Sequence, residues 1–195
     1  MAVFVSGAAK IPFSGTFVNY IQSSGTQYID TEVTGGANAS LEMTARMVAT
    51  NSVNNNQFFG YKGNFVSING PKSLFRTEDD ANHTVTFTTT PTQKWTLKID
   101  SNGNHYCDGV LCGTIPNIAG RGWGNGTYGN WVFCTANDGI TYAAVLELYS
   151  LKMYTNGVPV RDFRPCYDPD GVVCLYDMVD KKFFYNSGTG EFIAG

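Results

Sequence analysis

From residue 17 onward the chain is a succession of short runs, apolar or alternating apolar and polar, separated by clusters of Gly, Asn, Asp, Ser and Pro. Period-two alternation marks a half-buried strand, and a short apolar run bounded by turn residues marks a buried one. The pattern predicts strands at 28–30, 41–48, 57–61, 65–68, 85–89, 95–99, 105–107, 110–113, 131–135, 142–155, 158–163, 172–176 and 182–185. Such spacing suits an all-β, two-sheet sandwich. A helix competes only at 142–154, where Ala and Leu are frequent. There Val145, Glu147, Tyr149, Leu151 and Met153 alternate with Leu146, Leu148, Ser150, Lys152 and Tyr154, and a strand closed by Asn156-Gly157 accounts for the whole segment. Tight hairpins need Gly, Asn or Asp at positive φ. Ser101-Asn-Gly103, Asp108-Gly109, Asn156-Gly157 and Asp170-Gly171 all qualify. Residues 1–16 are rich in small side chains and end in Pro12-Phe-Ser-Gly15, which reads as an extended arm before a domain at 17–195. Such an arm can pack on the body or reach a neighbour.

Composition agrees with this picture and removes several function classes. With 195 residues, 43% hydrophobic and 14% aromatic, the chain can fill one substantial core, and 22 glycines, 11 tyrosines and only 15% charged residues favour strands and turns over helices. A net charge of −3 from 13 basic and 16 acidic residues gives no basic stripe for nucleic acid. The first basic residue, Lys10, follows the few apolar residues of the start, so no signal peptide is read. No run approaches the roughly 18–20 apolar residues of a membrane-spanning helix, so no membrane insertion is expected. Five cysteines leave at least one thiol unpaired, which fits folding in a reducing cytoplasm. A two-residue turn at Asp108-Gly109 would pair Cys107 with Val110 and leave Cys112 diagonally displaced, a poor geometry for a disulfide. Cys166 and Cys174 flank a longer turn that can bring them opposite each other, so a bridge there stays open. Without Cys-x-x-Cys, and with His83 and His105 as the only histidines, no structural zinc site is expected.

The run Lys98-Ile-Asp-Ser-Asn-Gly-Asn-His-Tyr-Cys-Asp-Gly-Val-Leu-Cys-Gly-Thr114 combines a strand, an Asn-Gly turn, an aromatic before Asp-Gly and a returning strand. It resembles the central meander of laminin-G-like, concanavalin A-like jelly rolls. Tyr20-Ile-Gln-Ser-Ser-Gly-Thr-Gln-Tyr-Ile-Asp-Thr31, the segment Leu148 to Cys166, Gly171-Val-Val-Cys-Leu-Tyr-Asp177 and Phe184-Tyr-Asn-Ser-Gly-Thr-Gly190 extend the likeness over residues 17–195. Together they are similar to a subgroup found in bacteriophage virion proteins and in surface proteins of gut bacteria. The resemblance implies a two-sheet antiparallel jelly-roll sandwich on a virion or an extracellular surface. Its implied partners are a glycan or bacterial surface polysaccharide, other virion proteins reached through the arm, and further copies of the chain. Cys112 and Cys174 stand where such a relative is expected to carry Val or Gly.

Within that superfamily, sugar-cleaving members place carboxylates as Glu-x-Asp-x-x-Glu or Glu-x-Asp-x-Glu on one strand, and no such run occurs here. Glu42 and Glu147 stand alone among apolar neighbours and read as outward structural carboxylates; a glycoside hydrolase would need one of them facing a cleft. His83 and His105 read as surface or half-buried strand residues, so a nucleophile lacks a base. Gly120-Arg-Gly-Trp-Gly-Asn-Gly126 has the glycines of a phosphate loop without the Lys-Ser/Thr ending. Glu78-Asp79-Asp80 with Asn82 reads as a solvated turn whose oxygens could also take up calcium, and no other cofactor is implied. The three Asn-x-Ser/Thr acceptors, at Asn38, Asn82 and Asn125, read as incidental.

Sugar recognition sets an aromatic face beside groups that replace the hydroxyls' hydrogen bonds to water. The loop Arg121 to Trp131 offers that combination, with Arg121, Trp123, Asn125, Tyr128 and Asn130 as candidate glycan contacts. The alternative is that Trp123 and Trp131 fold inward as plugs, and Trp131, at a strand start, fits that role better. A second candidate is 54–61 with Phe75 and Arg76. The reading is a non-enzymatic, lectin-like attachment module, with a structural capsid decoration or fibre protein as the alternative.

Overall fold

The computed structural model describes residues 13–48, 56–61, 64–69, 72–76, 82–87, 89–116, 119–120, 122, 129–135 and 144–195. The strands are β1 (Thr16–Phe17), β2 (Ile21–Gln22), β3 (Ile29–Asp30), β4 (Ala39–Met47), β5 (Asn56–Tyr61), β6 (Asn64–Asn69), β7 (Lys72–Arg76) and β8 (Asn82–Thr86). They continue as β9 (Trp95–Ile99), β10 (Asn104–Cys107), β11 (Val110–Thr114), β12 (Trp131–Val132), β13 (Leu146–Thr155), β14 (Val158–Tyr167), β15 (Val173–Asp177), β16 (Lys182–Phe184) and β17 (Ile193–Ala194). The larger sheet runs β11-β10-β9-β4-β13-β14-β15-β16, with β1 beside β14 and β2 between β13 and β17. The smaller runs β3-β12-β5-β6-β7-β8. This is the two-sheet sandwich that the pattern predicts, with the antiparallel jelly-roll form that the resemblance implies.

Turn chemistry sets the hairpin registers. Asp108 and Gly109 (φ 50° and 81°) and Asn156 and Gly157 (φ 50° and 74°) take positive φ at both positions, the two-residue geometry that matches strand twist. Cys107 therefore pairs with Val110, and Thr155 with Val158. In the Ser101 to Gly103 turn the Asp100 carboxylate accepts from the amides of Asn102 and Asn104 at 2.9 and 3.0 Å.

The core lies between the sheets. Alternate residues of β4 (Leu41, Met43, Ala45, Met47) and β9 (Trp95, Leu97, Ile99) face it. Trp95 is its largest buried side chain, with rings of Phe58 at 5.5 Å and Phe87 at 6.0 Å and its indole N–H donating to the Pro91 carbonyl. A second cluster, Cys166, Cys174 and Tyr176 with Phe13, Met178 and Phe183, packs apart from that core. Its two cysteines are free thiols in direct cross-strand register, sulfurs 3.6 Å apart. Phe13 stacks on Phe17 at 4.1 Å and lies 4.7 Å from the Tyr176 ring, so the arm's last residues rest on the sheet. Residues 1–12 lie outside the described residues.

Several expectations need correction. β7, hydrogen-bonded between β6 and β8, has no counterpart in the pattern, and the strand expected at 85–89 is β8, three residues earlier. The strand expected at 131–135 ends at Val132, because Phe133 turns to φ 75° and its amide donates to the Phe58 carbonyl. β14 runs through Pro165, where the pattern stopped at 163. In an antiparallel strand a residue's N–H and C=O point to the same side, and the Pro165 carbonyl accepts from Val18 rather than from β13. The missing proline N–H therefore removes no bond to β13. His105 is fully buried rather than exposed or half-buried, its Nδ1 3.1 Å from the Gly103 carbonyl.

Two measurements test this packing. Trp95→Ala is expected to cost about 3–5 kcal/mol in denaturant unfolding, the range for a large aromatic lost from a close-packed core; under about 1 kcal/mol would contradict the core assignment. Burial pushes the His105 imidazole below its ordinary value of 6.5. Above that value neither state binds the proton, and below it the unfolded chain takes up a proton that the folded one resists. Stability is thus expected to fall as pH drops below about 6.5, with that slope absent in His105→Asn. A slope unchanged by the substitution would exclude His105 as its source.

Candidate functional site

Among the described residues, a depression lies where the larger sheet forks. β13 pairs with β4 along its whole length, but Leu148 pairs with Ala45 and Ser150 with Thr44. Ala45 and Thr44 are consecutive, so Tyr149 is an extra residue, a β-bulge. The apolar phase of β13 changes there, with Leu146 and Leu148 inward on one side and Leu151 and Met153 inward on the other. This corrects the single alternation expected for 142–155.

On its other edge β13 has two successive neighbours. Leu151 to Thr155 pair with β14, whereas Glu147 and Leu148 pair with Gln22 and Ile21 of β2. Tyr149 and Ser150 fall between the two partners. Segment 17–20 closes the gap, leaving β14 through a Val18 amide bond to the Pro165 carbonyl and joining β2 at Ile21. The resulting groove has a volume of about 800 Å³. Its walls carry Phe17, Asn19 and Tyr20 from the closing segment, Tyr149 and Ser150 from the bulge, Thr44 and Lys94 on one flank, and Arg164, Pro165 and Met178 on the other.

Phe17 is 48% exposed, although its ring stacks on Phe13. The Tyr20 and Tyr149 rings are 5.5 Å apart, and the Lys94 ammonium sits 4.0 Å over the Tyr149 ring. Behind them Glu147 is buried and is bound twice by Arg46, Nε donating at 2.7 Å, and once by the Tyr149 hydroxyl at 2.7 Å. The Arg46 guanidinium holds the Glu147 carboxyl below its ordinary range against the opposing effect of burial. Burial and the bond to Glu147 push the Tyr149 phenol up to about 12. At neutral pH the site therefore presents a bound carboxylate and a neutral phenol. That carboxylate has no proton to donate, as the acid step of glycoside cleavage would require. Glu42 stands in cross-strand register with Lys98 and Lys152 on the same sheet.

The loop candidates fall differently. Arg121, Trp123, Asn125 and Tyr128 lie outside the described residues. Asn130 is buried, its Nδ2 donating to the Val33 carbonyl at 3.2 Å while its own carbonyl accepts from the amide and hydroxyl of Thr31. It braces the loop's base. Trp131 is half-buried and stacks on Tyr28 at 4.0 Å outside the main core, so it is no core plug. In the run 54–61, Phe58, Phe59 and Tyr61 are buried in β5, while residues 54–55 lie outside the described residues. Glu78, Asp79 and Asp80 also lie outside them, and Asn82 opens β8. Among the described residues no group of three or more His, Cys, Asp or Glu could hold a metal.

Sequence reasoning missed the groove because its residues come from six separated segments. One signal was present: a strand cannot hold both the Leu146/Leu148 and Leu151/Met153 phases inward without an extra residue. Deleting Tyr149 joins Leu148 to Ser150 against consecutive partners in β4. The deletion is expected to leave a cooperatively folded sandwich, weaker by at most about 3 kcal/mol from the lost ring and hydroxyl contacts. Loss of cooperative unfolding would show that the bulge is needed for the fold and not only for the groove.

No protein-family model matches the chain, and no curated protein does. Solved structures share its fold. A candidate carbohydrate-binding protein from Bacteroides ovatus aligns over 92% of this chain at 11% identity with a TM-score of 0.67. The chain spans 60% of that protein's length. The native heptameric SAP-like pentraxin of Limulus polyphemus aligns over 96% of this chain and 97% of its own, at 11% identity and a TM-score of 0.56.

Proposed function

We propose that the protein is a non-catalytic, lectin-like module and that the forked groove is its glycan site. The observation that carries this reading is the combination in one groove of exposed or half-buried aromatic rings, Phe17 and Tyr20, with the neutral polar groups of Asn19, Thr44 and Ser150. A sugar ring needs an apolar face and replacement partners for its hydroxyls, and about 800 Å³ falls within the usual range of small-ligand sites. The fold shared with a candidate carbohydrate-binding protein supports the same class. Glu147, ion-paired and lacking an acid partner in the groove, supports binding over hydrolysis.

The setting belongs to the proposal as well. By its sequence resemblance the module would sit on a virion or bacterial surface and engage a surface polysaccharide. By the same resemblance the arm before the domain would reach other virion proteins, which keeps a decoration role as the second reading. The heptameric pentraxin of the same fold supports assembly of several copies.

Calorimetric titration with a panel of soluble oligosaccharides tests the site. Phe17→Ala and Tyr20→Ala are each expected to weaken glycan binding about tenfold, with unchanged far-UV circular dichroism. Trp123→Ala and Tyr128→Ala, measured alongside, test the loop at 121–130. Loss there with full binding in the groove variants would move the site to the loop, and no binding by the unaltered chain would remove the reading.

A further inference from the structure

We infer that the groove selects an anionic sugar unit, one bearing a carboxylate or a sulfate, through Lys94 and Arg164; the inference rests on the glycan-binding reading above. The chain as a whole is acidic, with a net charge of −3. The groove is not. Among the described residues its charged lining is these two cations, with no Asp or Glu.

The carboxylates around it are already matched. Glu147 is taken by Arg46 and the Tyr149 hydroxyl. Asp162 is shared between Arg164, whose Nε is 3.4 Å from Oδ1, and Lys152, whose ammonium is 3.9 Å from Oδ2. The count on this stretch leaves positive charge over. Lys94 is exposed, and among the described residues no carboxylate pairs with it. Its ammonium rests instead on the Tyr149 ring, which positions a cation without neutralising it. Arg164 is 46% exposed at its side chain, and one contact through Nε leaves its terminal N–H groups for the paired oxygens of a carboxylate or sulfate. A neutral sugar would leave Lys94 without a counter-charge and Arg164 with only its share of Asp162, whereas a uronate or sulfate supplies the missing charge beside the aromatic wall.

The test titrates the full chain with three oligosaccharides of equal length: an oligogalacturonate, a heparin-derived oligosaccharide and a neutral β-galactan. Each is measured at about 50 and about 300 mM NaCl, a change that sharply shortens electrostatic range. At least one anionic probe is expected to bind about tenfold or more tighter than the neutral one and to weaken several-fold in the higher salt. The double variant Lys94→Met/Arg164→Gln is expected to lose that advantage, and Lys98→Met, on the same sheet but outside the groove, to keep it. Binding of the oligogalacturonate assigns carboxylate, and binding of the heparin-derived oligosaccharide alone assigns sulfate. Equal binding of neutral and anionic probes, or an advantage that survives the double variant, overturns the inference. If only the neutral probe binds, and does so in a Tyr20-dependent way, the glycan reading stands without it. If none of the three binds, both fall.

Discussion

Tyr149, the extra residue in β13, is the constraint from which the rest of the site follows. One residue inserted against a continuous partner strand reverses which side chains point inward, so the sequence on either side must change phase to keep the core apolar. Leu146 and Leu148 before the bulge and Leu151 and Met153 after it meet that requirement. The same insertion lies where β13 exchanges β14 for β2, between Leu151 and Leu148. The contacts of Arg46 and Tyr149 with the buried Glu147 carboxylate then fix the extra side chain on the outer face.

The fork would otherwise expose unpaired strand backbone, and segment 17–20 covers it. Val18 satisfies the Pro165 carbonyl, and Tyr20 exchanges backbone hydrogen bonds with Gly195. Covering the backbone while leaving a depression between the side chains requires short strands on both sides, which is what β1 and β2 are, at two residues each. Phe13, stacked beneath Phe17, holds the aromatic wall from behind. The site is therefore built on paired backbone rather than on a free loop, which gives its rings and cations fixed positions.

Most of the sandwich could be read from alternation and turn chemistry. Asp108-Gly109 and Asn156-Gly157 dictate their hairpins locally, so the pairs Cys107 with Val110 and Thr155 with Val158 follow from a few residues. Long-range pairing carries no such local mark. β7 escaped notice because Lys72 to Arg76 is too mixed to alternate clearly. The extension of β14 through Pro165 depends on β13 having left that edge, which the residues near Pro165 do not encode. The groove was illegible for the same reason: Lys94, Arg164 and Tyr20 are ordinary surface residues until the fork gathers them. The glycine-rich loop drew attention instead because its aromatic and polar residues are adjacent in sequence, and its one described candidate contact, Asn130, is committed to backbone hydrogen bonds.

The most direct test of a glycan site in the fork is a backbone amide nuclear magnetic resonance titration with a bound oligosaccharide. The account predicts that the largest shift changes cluster at 17–20, 149–150 and 164, with smaller ones across β4 near Thr44. Shift changes confined to 121–130, with the amides of the fork unmoved at saturation, would contradict it.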